Sequence, residues 1–340
     1  MAKDQDTNKA GSLSFEELAA EVEPIRARIN TMRSRLSDYF IDKSDVIDLM
    51  AISMLAQEPL LIVGRPGTAK SDIVVKFCQA LGLEGSDYFE YMLTKFTEPG
   101  EIIGPIDIGQ LKDGRYLRKT GGKLPDCRIA FLDEIFKSNS AILNTLLTMI
   151  NERKFYQDGQ PVKLDLVMLF AATNEIPEFD ELAALRDRFV LKIESKSVSD
   201  GHLEGLIAKG LRNESYKAFN QRPWEKMASL DDFLNLKSYL DHTMAQAPPE
   251  VGPEGLRDPH FPAEVFALFR RILRTLAKED RLEISDRKVV KLYRLLRARA
   301  LLFHGGVVTR EDLGLLRYIP DRLKDFEPVS EKVDLLLRLD

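Results

Sequence analysis

The sequence predicts an α/β fold with a mostly parallel sheet, followed by a smaller helical domain. Three observations carry this expectation. Short apolar runs at residues 60–63, 88–92, 129–132, 167–171 and 190–193 alternate with segments of helical periodicity. Such alternation is the pattern of strands covered on both faces by crossover helices. The first run leads into the loop Gly64-Arg65-Pro66-Gly67-Thr68-Ala69-Lys70-Ser71 and then into an apolar helix containing Ile73, Val74 and Phe77, a strand–loop–helix unit. Beyond residue 262 the apolar positions keep helical spacing instead.

Taken in order, residues 1–13 form a polar tail expected to be disordered, and Ser14 with Glu17 three residues later reads as a capping box. Pro24 is placed to kink or restart that helix. Ile47, Met50, Ala51, Met54 and Leu55 then follow an amphipathic pattern, with Ser44 positioned to cap it. Two hairpin inserts interrupt the strand–helix alternation. Residues 106–111 and 116–120 flank Asp113-Gly114, and residues 154–157 and 160–164 flank Asp158-Gly159; Asp-Gly favours a two-residue hairpin turn. Pro161 limits the second hairpin to an edge pairing.

At 340 residues the chain is long for one unit and predicts two domains, a core over 14–195 and helices over 229–340, joined by a linker region over 196–228. The stretch 245–262 is rich in Pro and Gly and reads as a loop. After it, Val265, Leu268, Phe269, Ile272, Leu273 and Leu276 share one helical face, as do Val289, Leu292, Tyr293 and Leu296. Thr309-Arg310-Glu311-Asp312 reads as a hydroxyl cap with acidic residues in a first helical turn.

Composition bounds the function. A formal net charge of −5 leaves no basic surplus for releasing counterions from a nucleic-acid backbone, so nucleic acid is a disfavoured partner. Gln57 and Glu58 break the apolar stretch from 49 to 63, so no membrane span is readable. Residues 1–11 lack the basic start and apolar middle of an export signal, and the cysteines are Cys78 and Cys127 alone. A reducing cytoplasm is the compartment these features predict.

The chemistry concentrates where strands end. In the loop Gly64, Arg65, Pro66, Gly67, Thr68, Ala69, Lys70 and Ser71, the glycines let backbone N–H groups close around phosphate. Lys70 brings a point charge there, and Ser71 brings a hydroxyl for Mg²⁺. The usual pattern has Gly before the lysine, where this chain has Ala69, so an ordinary glycine turn is the bland alternative. Asp133 and Glu134 follow an apolar strand, Asp133 suited to hold hydrated Mg²⁺ and Glu134 to orient or deprotonate water. Asn174 ends another strand, where its amide can position water or contact a γ-phosphate, or simply cap a helix. Arg186 and Arg188 precede the last strand and offer guanidinium forks for charge on a transferring phosphoryl group. Ser285-Asp286-Arg287 opens a helix from which Arg287 can reach nucleotide, or serve as part of a surface cap.

The order of these pieces resembles the MoxR family of AAA+ ATPases, and most closely its RavA-like branch. The carrying residues are the Gly64 to Ser71 loop, Leu93-Thr94-Lys95-Phe96 with Gly104-Pro105, and Phe131-Leu132-Asp133-Glu134-Ile135-Phe136-Lys137. They continue through Ala141-Ile142-Leu143-Asn144, Ile150-Asn151-Glu152-Arg153, Ala172-Thr173-Asn174-Glu175 and Arg186-Asp187-Arg188-Phe189. Likeness is nearly continuous from residue 41 to 193 and sparser afterwards, mainly around Ser285-Asp286-Arg287. The family often has Ala where Ala69 stands.

The resemblance implies an AAA+ P-loop core followed by a helical lid, with ATP and Mg²⁺ as cofactors. It makes Asn174 sensor 1, Arg188 the arginine finger and Arg287 sensor 2. The insert at 106–120 matches one in the second core helix, and the hairpin at 155–162 matches one before sensor 1. It further implies a homo-oligomeric ring, usually hexameric, and chaperone-like work on a protein client with a separate von Willebrand factor A domain protein. Two departures stand out: Asp42 lies where many relatives carry Gly near the adenine, and residues 196–222 do not align. A nucleotide-gated scaffold with slow turnover is the alternative, and a nucleic-acid translocase the third reading.

Overall fold

The computed structural model describes residues 14–83, 85–179, 182–197, 203–252 and 255–338; the tail expected over 1–13 lies outside them. The reciprocal cap between Ser14 and Glu17 opens helix α1 (Phe15–Tyr39). Leu18, Val22, Ile25, Ile29, Met32 and Leu36 are buried at alternating spacings of four and three, one continuous stripe. Pro24 lies inside α1 and does not end it. In α2 (Ser44–Ala56) every residue from Leu49 to Leu55 is buried, as for a helix enclosed on all sides. Ser44 is its first helical residue rather than its cap. The N-cap is Lys43, whose ammonium instead donates to the Lys196 carbonyl.

Strand β1 (Leu60–Val63) runs through the loop into α3 (Lys70–Ala80). Next come β2 (Tyr88–Met92) and α4 (Pro99–Ile103). The hairpin expected over 106–120 is replaced here by a short helix, α5 (Ile108–Lys112). Asp107 accepts from the Gly109 and Gln110 amides at 2.9 and 3.3 Å, and this cap outweighs the strand implied by Asp113-Gly114. Among the described residues, Ile106 and Arg118 form a lone antiparallel bridge. After β3 (Ile129–Asp133) and α6 (Ser140–Glu152), β4 (Lys154–Gln157) and β5 (Gln160–Lys163) make the second hairpin as expected. Asp158 and Gly159 both take positive φ, which a type I′ turn requires. The two inserts touch: the Tyr116 amide donates to Asp158 Oδ1 at 3.1 Å, and the Asp158 amide donates to the Tyr116 carbonyl at 3.0 Å.

Strand β6 (Met168–Thr173), the single turn α7 (Ala183–Arg186) and β7 (Leu191–Glu194) complete the sheet. Its order is β2-β3-β6-β1-β7, every pairing parallel. Alternate residues face opposite sides, so Leu60, Ile62, Phe131, Phe170 and Ala172 join one apolar cluster while Leu61, Val63, Leu132, Leu169 and Ala171 join another.

The stretch read as a linker carries a helix, α8 (Leu203–Ala218). Then follow α9 (Leu230–Gln246), a small antiparallel pair β8 (Glu250–Gly252) and β9 (Gly255–Arg257) inside the expected loop, α10 (Ala263–Glu279), α11 (Asp286–His304) and α12 (Phe326–Arg338). Residues 311–318 adopt 3-10 rather than α geometry, and the Thr309 hydroxyl donates to Asp312 instead of accepting from backbone. These helices share the first apolar cluster with the sheet. Phe77 of α3 meets Phe170 of β6 edge-on at 5.7 Å and Phe233 of α9 at 6.3 Å, joining sheet to helical layer.

One buried ion pair stands out in the helical layer. Asp258 accepts from Arg297 at 2.9 Å, from the His260 amide at 2.8 Å and from the Tyr293 hydroxyl, with the two charged side chains 0% and 2% exposed. Removing one member strands the other charge away from water, which typically costs about 3–5 kcal/mol. Asp258→Ala should therefore lower the unfolding free energy by roughly that amount. Urea unfolding checks it, and a loss below about 1 kcal/mol, the range of exposed pairs, would show that Arg297 finds another partner.

Candidate active site

Parallel pairing brings the carboxyl ends of β1, β3, β6 and β7 to one edge of the sheet, where open α/β sheets bind ligands. The loop after β1 is anchored on both sides. The Gly64 amide donates to the Thr173 carbonyl at 3.1 Å, the Ser195 amide to the Val63 carbonyl at 2.6 Å, and the Ser195 hydroxyl to the Thr68 carbonyl at 2.8 Å. A Cβ on Gly64 would lie 2.6 Å from the Ser195 carbonyl oxygen, so that position admits no side chain. Gly67 and Ala69 both have positive φ, +84° and +64°. Ala69 is the N-cap of α3, and its left-handed backbone explains why glycine is usual there; a methyl costs about 1–2 kcal/mol at such a position. The first-turn amides of α3 lie beyond it without helical partners, at the positive end of the helix dipole.

Lys70 reaches back over this loop. Its ammonium donates to the Gly64 carbonyl at 2.5 Å, the Arg65 carbonyl at 3.2 Å and Asn174 Oδ1 at 3.0 Å. Burial pushes its pKa below the usual lysine value, while Asp133 and Glu134 pull it back up. The Asn174 amide in turn donates to Glu134 Oε1, so a polar chain runs Lys70, Asn174, Glu134 across the ends of β1, β6 and β3. Glu134 is buried, takes positive φ, and pairs with Lys137 at 3.2 Å. Its Oε2 is buried and has no partner among the described residues. A carboxylate oxygen left open in this way can accept a proton from water placed beside it.

Ser71 Oγ donates to Asp133 Oδ2 at 3.3 Å. Two hard oxygens at the loop suit Mg²⁺, which takes one or two protein ligands and fills its octahedron with phosphate oxygens and water. No cluster of three or more acidic, His or Cys side chains able to hold a metal occurs among the described residues. The donor set thus fits a metal that arrives with phosphate better than a protein-only cage.

Two arginines stay apart from this group. Arg188 sits in the turn before β7; its amide donates to Leu185 at 3.1 Å, and its Nε is buried without a partner. Arg287 is exposed on the first turn of α11, where Ser285 caps the Lys288 amide at 3.2 Å. Within the described chain neither side chain bonds to the loop.

A cavity of about 540 Å³ adjoins the loop at Gly67, Thr68 and Ala69, with Tyr39 and Phe40 on one side and Leu206, Lys209 and Asn213 of α8 on the other. Its size is that of a small-ligand pocket. The α8 wall was missed by the reading of 196–228 as a linker. Its Leu, Ala, Lys and Glu content is the available signal for a helix, and Gly205 and Gly210 obscure it. Tyr39, at the end of α1, has its phenol pushed up to about 12 by burial.

A family profile described as the MoxR domain in MoxR-vWA-beta-propeller ternary systems matches residues 27–235, and an AAA lid domain profile matches residues 264–329. An uncharacterized protein of Methanocaldococcus jannaschii is 37% identical over 223 residues, covering 64% of this chain and 57% of its own length. A second from the same organism is 32% identical over 296 residues, covering 86% of this chain and 70% of its own. The chaperone MoxR1 of Mycobacterium tuberculosis is 25% identical over 182 residues, 52% of this chain and 46% of that protein. The chain therefore spans little more than half the length of the first of these relatives. A crystal structure of a candidate ATPase from Cytophaga hutchinsonii superposes over 96% of this chain and 98% of that one, with a TM-score of 0.68 at 18% identity, and so shares the fold. With the MoxR-domain profile covering more than half of its length and a lid profile behind it, the chain belongs to the MoxR family of AAA+ ATPases.

Proposed function

We propose that this protein hydrolyses ATP with Mg²⁺ and uses the energy for chaperone-like remodelling or assembly of a protein partner. The observation that carries the reading is the chain Lys70–Asn174–Glu134, ending in a carboxylate oxygen that is buried and unpartnered. In this reading the amides and ammonium of the Gly64 to Ser71 loop hold the phosphates, and Ser71 and Asp133 hold Mg²⁺, which neutralises phosphate charge. Asn174 fixes the attacking water. Glu134 Oε2 takes a proton as the water oxygen bonds to the γ-phosphorus and the bond to the β–γ bridging oxygen breaks, releasing ADP and phosphate.

Arg188 then serves a neighbouring subunit. The absence of any bond from its side chain to the loop within one chain leaves room for action across an interface in a homo-oligomer, which we take to be a hexameric ring. Arg287, exposed at the head of α11, likewise contacts nucleotide only across such an interface or after the lid moves. The matched profile is named for systems containing vWA proteins, which supports a separate von Willebrand factor A domain partner. The motif likeness supports the RavA-like branch. No helix among the described residues is long and apolar enough to cross a membrane, and Cys78 and Cys127 are both free and buried; cytoplasmic placement belongs to the same proposal. The detachment of both arginines also favours a second reading, a nucleotide-gated scaffold that turns over slowly. Turnover with and without candidate partners separates it from a motor.

Two variants test the division of labour at the loop. Lys70→Ala should weaken ATP binding about 10- to 100-fold, the worth of a hydrogen bond to a charged group. Glu134→Gln should bind ATP normally while turnover falls about 10²- to 10⁴-fold, the usual share of a general base. Isothermal titration and phosphate release measure the two, and a Glu134→Gln protein with parental turnover removes Glu134 from the reaction.

Arg188→Ala should bind ATP and assemble as the parent does, yet lose about 10³-fold in turnover. Rings mixed from Arg188→Ala and Lys70→Ala subunits contain interfaces with an intact loop facing an intact Arg188, so part of the activity should return. Parental turnover by Arg188→Ala alone, with assembly verified by light scattering, would rule out the finger.

A further inference from the structure

Three parts of the protein that bear on the site meet at the segment between residues 319 and 324. Lys192 of β7 is wholly buried. Its ammonium donates to the Phe189 carbonyl at 2.5 Å, holding the turn that carries Arg188, and to Asp321 Oδ1 at 2.6 Å. The other oxygen of Asp321 accepts at 3.3 Å from Lys288, which follows Arg287 in the first turn of α11. Lys288 is buried as well, and donates also to the Ile319 carbonyl at 3.0 Å. Just beyond, Arg322 and Lys324 approach Glu178, in the loop that follows Asn174, at 3.6 and 3.2 Å. These contacts differ in weight. Both Glu178 pairs are exposed, and such pairs hold little. Lys192 has no water to turn to, so its partners decide where it sits. Without Asp321 it would keep one carbonyl and face the like charge of Lys288.

We propose that Asp321 is a positioning residue for Arg188, fixing the turn before β7 through Lys192, and that it does so only while α11 is seated on it through Lys288. The inference rests on the reading of Arg188 as the group that completes a nucleotide site, and adds what aims it. Two ammonium groups share one carboxylate, one oxygen to each. If α11 withdraws and Asp321 follows Lys288, Lys192 is stranded; if Asp321 stays, Lys288 loses its anion. Either way a buried charge is left without its partner, which folded proteins avoid. The head of α11, the 319–324 segment and the Arg188 turn therefore shift together. Lid position and arginine position become one variable, a shared element through which two sites can be coupled.

An asparagine offers one acceptor oxygen for the two cations, so Asp321→Asn unties one of them at nearly constant volume. With full-length protein, ATP affinity is read by titration, turnover by phosphate release at saturating ATP, and assembly by light scattering. Asp321→Asn should bind ATP within about twofold of the parent and lose roughly 5- to 30-fold in turnover, the range of coupling through a shared element. Mixing it with Lys70→Ala subunits, whose Arg188 turns are intact, should return part of that activity, which damage to its own loop would not allow. Lys192→Met removes the buried charge together with its need for a partner. It should show the same loss, and the double variant should be no worse than either alone. Parental turnover by Asp321→Asn where Arg188→Ala is impaired overturns the proposal. So does a turnover loss that Lys70→Ala subunits fail to complement although they complement Arg188→Ala. Parental turnover by Arg188→Ala removes the underlying reading of that arginine instead, a separate result. If Asp321→Asn does not fold, Lys192→Met decides by the same measurements, and its parental turnover overturns the proposal.

Discussion

The contact between the Lys70 ammonium and Asn174 Oδ1, 3.0 Å long, is the point on which the proposed site turns. Lys70 is buried, and a buried cation needs partners. It finds two in loop carbonyls and one in Asn174, whose amide passes the connection to Glu134. Three chain segments far apart in sequence are held in one polar chain only because β1, β3 and β6 are neighbours running in the same direction. Shift any strand by one residue and its end group turns to the opposite face of the sheet. The register Val63 to Thr173 and Leu132 to Ala171 is therefore as much a part of the site as the side chains.

The helical layer is tied to that sheet by two different means. Apolar contact through Phe77, Phe170 and Phe233 is broad and non-directional. A polar link is narrower: Lys192 of β7, wholly buried, donates to the Phe189 carbonyl at 2.5 Å and pairs with Asp321 at 2.6 Å, which also pairs with Lys288 at 3.3 Å. Burial pushes Lys192 down to about 8 despite Asp321, whose own carboxyl is held below its usual value by the two ammonium groups against the opposing effect of burial. Phe189 follows Arg188, and Lys288 follows Arg287. The turn bearing one arginine and the helix bearing the other are thus connected through a single carboxylate.

Much of this was legible because its causes are local. Strands buried on both faces are apolar runs, so β1 and β3 stand where the runs predicted them. The loop was legible because tight turns and close approach demand glycine, as the 2.6 Å clearance at Gly64 demonstrates. Elsewhere two local signals competed. At 106–120 the Asp113-Gly114 turn signal pointed to a hairpin, and the Asp107 cap six residues earlier won with a short helix. Ser44 looked like a cap, yet the cap falls on Lys43, whose long side chain is drawn to a carbonyl 153 positions away. Helix α8 escaped notice because its glycines weaken helical propensity and its anchors, the carbonyls of residues 37–40, are tertiary. Arg188 and Arg287 make no bond to the loop within one chain, and the role proposed for them in an assembly is one that no single-chain pattern encodes.

Asn174 offers the most direct test, because it is the one member of the chain with no charge of its own. Steady-state phosphate release and ATP affinity are measured on Asn174→Ala under conditions where parent and variant have the same assembly state. The account predicts turnover reduced by about 10²-fold or more, as for loss of a single oriented donor, with ATP affinity changed by less than about tenfold. Turnover equal to the parent would contradict it, since the polar chain would then be a packing feature and the open oxygen of Glu134 would owe its position to something else.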